Sequence, residues 1–161
     1  MRDNLKIFFK VIGILLLAIF QIVGMPCLAI NGLWPNLILI LAVILIVFNK
    51  TQDGFLVASL GGLILDLAGY WFFGFNLITI FAATLLVRLL VTKFLNEPNE
   101  MVAVGIIAIM VMAADVSTAL ISHQQSLIFI GVNIIYSAAM AIIIYQLIKS
   151  LSAHRPALRI N

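Results

Sequence analysis

Charge is scarce in this sequence: charged residues occupy 9% of its 161 positions. A soluble domain of this size carries about 25% charged residues, so a water-facing surface of ordinary composition is excluded. Cysteine occurs once, at Cys27, which rules out an intramolecular disulfide and leaves a residue that behaves as a small hydrophobe. Histidine occurs twice, and no metal-ligand spacing includes either; His123 falls in a connection and reads as a solvated loop residue. Several catalytic signatures are also missing. There is no phosphate-binding glycine loop ending in Lys-Ser/Thr, no HExxH and no GxSxG elbow. These absences favour a chain that works through contacts rather than as an enzyme, with no cofactor and no metal.

What remains is apolar. Hydrophobic residues make up 65% of the chain and the mean hydropathy is +1.26. Because about 20 apolar residues cross the hydrocarbon core as a helix, repeated apolar runs between short polar breaks predict an all-α polytopic membrane protein. Six segments emerge, at approximately 5–23, 36–48, 54–69, 76–95, 101–121 and 127–149, and together they form a single integral membrane domain over 1–161. The breaks hold turn chemistry: Gly24, Pro26, Asn31-Gly32 and Pro35, then 49–53, 69–74, 96–100 around Pro98, and 122–126. The second and third segments are short, which predicts tilt or local thinning of the bilayer. The first segment has a basic start but no small-x-small cleavage site, so it is expected to be retained.

Basic residues partition cleanly over this pattern. Arg2, Lys6, Lys10, Lys50, Arg88, Lys93, Lys149, Arg155 and Arg159 all fall on one side of a six-helix topology, and the opposite connections contain no Lys or Arg. Enrichment of Lys and Arg at cytoplasmic ends then predicts cytoplasmic termini. The net charge of +3 suits the anionic lipid of that leaflet and not a nucleic acid. Trp34, Tyr70 and Trp71 fall in the opposite connections, where amphipathic rings anchor at the outer interface.

The stretch "GFLVASLGGLILDLAG" places one carboxylate in an apolar segment. Gly54, Ala58, Gly62 and Asp66 repeat at a spacing of four, and Gly61 widens the smooth strip beside them, so another helix is expected to pack closely there. An acid inside a span costs about 2.5–3.5 kcal/mol on insertion scales, which directs Asp66 into a protein seam rather than lipid. Its expected role is structural, with a solute or ion site as the lesser reading. At about 1.5 Å of rise per residue, Asp66 and Asp115 reach a similar depth, so the pair could hold a cation or share a proton. A polar stripe of Asn76, Thr79, Ala83, Thr84 and Arg88 suits hydrogen bonding across a seam, and Asn133, Ser137 and Ala141 repeat the device. Arg88 is placed either to pair with Asp66 or to snorkel to the inner surface.

"PNLILILAVILI", "DGFLVASLGGLILDL" and "FFGFNLITIFAATLLVRLL" together resemble the rod shape-determining MreD family of bacterial inner membranes. The matching residues are Pro35, Asn36 and Leu37; Gly62, Leu63, Asp66 and Leu67; and Gly74 and Asn76. The turn "AGYWFFGFN" is bulkier than the Ser-Gly-Ser-Pro type of that family. The resemblance implies six spans in the fold of ECF-transporter S-components, the substrate-binding subunits. It implies a subunit supporting cell shape and lateral peptidoglycan synthesis. Its partners would be MreC, the RodA-type glycosyltransferase, the elongation-specific penicillin-binding transpeptidase and, indirectly, MreB. The runner-up is a small-solute-binding subunit of an ECF-type transporter, with a pocket near Asp66, Asn76 and Asp115; the first segment lacks the Ala-x-x-x-Ala stripe usual for coupling in such subunits. A proton or ion conductor ranks last.

Overall fold

The computed structural model describes residues 2–29, 34–69, 73–94, 105–106, 108–114, 116 and 127–153. Regular structure is entirely helical, with no strand among the described residues. Four helices come first: α1 (Arg2–Ile19), α2 (Leu37–Val47), α3 (Thr51–Ala68) and α4 (Phe75–Phe94). A last helix covers Leu127–Ala153. Residues 105–106, 108–114 and 116 are also helical, in keeping with the expected segment at 101–121.

The core is built around α2. Its sequence, LILILAVILIV, has no polar face, so it satisfies its surroundings only when covered on every side. It is covered: nine of its residues are buried, with only Leu41 and Leu45 partly accessible. Helices α3 and α4 pack on it and on each other, and α1 lies against α3. The last helix reaches α2 through Tyr145, whose ring sits 5.0 Å from that of Phe48. Lys10 of α1 and Asp53 in the first turn of α3 form an ion pair at 2.5 Å.

Among the described residues, three stretches are long and apolar enough to cross a membrane: Ile7–Leu28, Phe75–Lys93 and Gly131–Ser150. Their outward faces are apolar, with Phe9 64%, Ile78 69% and Ile135 72% exposed. Large apolar residues displayed both inside and outside fit a chain solvated by lipid. Of the six expected spans, the first, fourth and sixth correspond to these stretches, and the fifth lies largely outside the described residues. Helix α2, at 11 residues, extends only about 16 Å. Enclosed by protein, it does not need the 20-residue apolar run that lipid exposure demands.

The first break falls later than expected. Gly24 and Pro26 predict an end to the first segment at Val23, yet the chain stays helical to Leu28, through a π turn at Phe20–Gly24 and a 3-10 turn at Met25–Leu28. In the wide turn Met25 N–H bonds the Phe20 carbonyl. That widening falls immediately before Pro26, whose ring would clash with the carbonyl four residues back in a regular α-helix. Elsewhere the expected segments agree with the helices to within a few residues, allowing for the described range.

Candidate functional site

The start of α4 is where the sequence-selected residues converge. Gly74 precedes the helix with φ +94°, a conformation that favours glycine. Its carbonyl accepts from Ile78 N–H at 2.9 Å, the first turn's own hydrogen bond, so Gly74 occupies the N-cap position. A glycine has no side chain to cap with. Asp66, in the last turn of α3, supplies that function from the neighbouring helix.

The geometry is that of an N-cap. Asp66 Oδ1 accepts from the backbone N–H of Asn76 at 2.8 Å, and Oδ2 accepts from the backbone N–H of Leu77 at 3.0 Å. Those are the second and third residues of α4, the donors an N-cap side chain normally serves. Asn76 Nδ2 donates to the same Oδ1 at 3.0 Å. Asp66 is 5% exposed and is therefore held by hydrogen bonds instead of water. Its charge also faces the positive end of the α4 dipole.

Gly62 makes this approach feasible. A Cβ on Gly62 would stand 2.8 Å from Leu77 Cα and 3.2 Å from Leu77 N, backbone atoms that cannot swing aside. Gly61 and Gly54 serve a different neighbour: a Cβ on Gly61 would meet Ile38 Cγ2 at 2.5 Å, and one on Gly54 would meet Ile46 Cγ1 at 2.6 Å and the Ala42 carbonyl at 3.0 Å. The single expected stripe is therefore two adjoining faces. Gly54 and Gly61 pack on α2, whereas Gly62 and Asp66 receive α4; Ala58 is fully buried. The reason is the helical repeat: residues seven apart return to one face, and residues eight apart have rotated past it.

A second helix entry is built in the same way and was not anticipated. Gln21, 4% exposed in the π turn, donates Nε2–H to the Pro35 carbonyl at 3.0 Å and accepts Leu37 N–H on Oε1 at 2.9 Å. Asn36 completes the cap by accepting Leu39 N–H on Oδ1 at 3.1 Å. The available signal was Gln21's isolation, since a long amide in an otherwise apolar run must find a partner.

The other selected residues divide. Thr84 is buried, but its hydroxyl donates to the Phe81 carbonyl of its own helix at 2.8 Å and makes no bond across the seam. Such back-bonding is the usual local outlet for a helical threonine. Thr79 is half-buried and Ala83 is buried. Arg88 does not meet Asp66; its guanidinium carbon lies 5.7 Å from the centroid of the Phe55 ring on α3. Ser137 and Ala141 of the last helix are buried. Trp34 is 40% exposed just ahead of α2. Tyr70, Trp71 and Asp115 lie outside the described residues, as does His123. Among the described residues, no group of three or more His, Cys, Asp or Glu could hold a metal ion.

The arrangement joins helix ends. Both oxygens of Asp66 are engaged by neutral donors. No protein-family model, no curated protein and no solved structure matches this chain.

Proposed function

We propose that this chain is a non-enzymatic, multi-pass subunit of the bacterial inner membrane, with both termini cytoplasmic, that supports cell elongation through helix contacts with MreC and the wall synthase. The finer fold assignment, six spans arranged as in ECF S-components, is part of the same proposal. The observation that carries the reading is the Asp66 cap. The most chemically conspicuous residue of the apolar segments holds α3 to α4, and its family-resembling neighbours Gly62, Gly74 and Asn76 take part in that junction.

The apolar outer faces of α1 and α4 add support. Leu5, Phe8, Phe9, Leu16 and Val23 on the first stretch, with Leu86 and Leu89 on α4, are more than half exposed. Such faces suit either lipid or a partner's transmembrane helix. The solute-binding alternative would use Asp66 and Asn76 as ligand contacts, and here they bond to each other.

The test is affinity purification of the tagged chain from gently solubilised membranes of a rod-shaped bacterium, followed by mass spectrometry. Recovery of MreC, the RodA-type glycosyltransferase and the elongation-specific transpeptidase is expected, with loss of rod shape on depletion. Recovery of a transporter energising module with a retained small molecule would replace this reading by the solute-binding one.

A further inference from the structure

At the end of the bundle opposite the capped entries, α1, α2, α3 and the last helix line an open cavity of about 500 Å³. Its walls are apolar: Ile14, Leu17, Leu41, Leu56, Val57 and Ile148. Its polar groups are Lys10, Lys50 and Asp53. Two cations against one carboxylate leave an excess of one positive charge. Asp53 is paired with Lys10, which places Lys50 outside the one ion pair formed among these three.

The backbone aims Lys50 deliberately. Helix α2 ends with Lys50 N–H bonded to the Leu45 carbonyl at 2.8 Å and Asn49 N–H bonded to the Ile46 carbonyl at 2.9 Å. Asn49 has φ 59°. Together these make a Schellman ending, which turns the chain sharply and sets Lys50 among the residues lining the cavity. On α1, Gly13 opens the wall: a Cβ there would meet nothing within 4 Å.

We infer that this cavity binds one anionic phospholipid, with its phosphate at Lys50 and an acyl chain along the apolar wall. An apolar slot with a single surplus cation at a membrane-facing helix end matches an amphiphile carrying one negative charge, and basic pockets between helices on the cytoplasmic side take anionic headgroups. A pocket of this size is in the range that accommodates a small ligand or part of a lipid. The chain's own residues 154–161 carry Arg155 and Arg159, and would add positive charge where a surplus already exists. The site rests on the membrane placement of the chain and is independent of which complex the chain joins.

The full chain is presented in mild detergent with equimolar phosphatidylglycerol and phosphatidylcholine, and retained lipid is counted by native mass spectrometry. One phosphatidylglycerol is expected to be preferred. Lys50→Gln, at an exposed side chain, is expected to lower that preference about fivefold, the effect of one basic residue near an anionic headgroup. Gly13→Leu fills open space without displacing backbone and is expected to reduce retention of both lipids at unchanged thermal stability. Inorganic phosphate at the same concentration is expected not to displace the lipid. Equal retention of the two lipids, an unchanged preference in Lys50→Gln, full retention in Gly13→Leu, or displacement by inorganic phosphate would each overturn the assignment. None of these outcomes depends on recovery of wall-synthesis partners.

Discussion

Asp66 and Asn76 are joined twice: one carboxylate oxygen accepts the backbone N–H of Asn76 at 2.8 Å and its side-chain amide at 3.0 Å. With the further bond to Leu77 N–H, the last turn of α3 becomes the cap of α4. A local N-cap is excluded because Gly74 takes a positive φ and has no side chain. The cap thus doubles as the tertiary link between two consecutive helices.

Removing the carboxylate should expose the importance of that link. Asp66→Ala leaves two backbone N–H donors at the α4 start without their acceptor, and is expected to destabilise by about 2–4 kcal/mol, since charge-assisted bonds are worth about 1.5–3 each and are not additive. Asp66→Asn retains one acceptor oxygen and should lose roughly half as much. Thermal unfolding in detergent, followed by circular dichroism, gives the order; equal stability of Asp66→Ala and the parent would refute the cap.

Steric fit at Gly62 gives a separate expectation. Gly62→Ala drives a Cβ into Leu77 Cα at 2.8 Å, so α4 must retreat and stretch the Asp66 bonds. A loss of about 1–3 kcal/mol is expected, and more for Gly62→Leu. Gly13→Ala is the control, because its Cβ meets nothing within 4 Å. If the two alanine variants unfold at the same temperature, the close approach at Gly62 has no energetic weight.

Gln21 should be sensitive to isosteric change. Gln21→Leu removes the partners of the Pro35 carbonyl and the Leu37 N–H, at an expected loss of about 1–3 kcal/mol from unsatisfied buried groups. An ionised Gln21→Glu side chain keeps an acceptor for Leu37 N–H but has no donor for the Pro35 carbonyl, and should also fall below the parent. Hydrogen exchange of the peptide covering 34–40, measured by mass spectrometry in nanodiscs, should accelerate in both.

The Lys10–Asp53 pair has side chains 49% and 31% exposed, so solvent screens it. A double-mutant cycle with Lys10→Ala and Asp53→Ala is expected to give a coupling of about 0.2–1 kcal/mol that shrinks as salt is raised. A larger, salt-independent coupling would mean that the pair is shielded by lipid or protein.

Much of the local architecture was legible in the residues. Asn36 marks the start of α2, and Asp66 among small residues demands a protein seam, whereas the short apolar run of α2 reads as a tilted span and is instead enclosed by protein. The division of labour among the glycines was not legible. Spacing alone cannot say which neighbour lies across a face, and Gly61 and Gly62 are adjacent in sequence yet confront different helices. Nor could spacing reveal that Thr84 bonds within its own helix, because the competing carbonyl is always near.

By itself, the sequence determined an apolar helical chain with lipid-compatible surfaces, because burial of hydrocarbon and internal pairing of backbone groups follow from composition and period. Only the tertiary structure decided that Gln21 and Asp66 complete the starts of α2 and α4. A helix's first amide groups need acceptors it does not contain. Which distant side chain supplies them depends on where the preceding helix ends in space, a relation no linear spacing encodes.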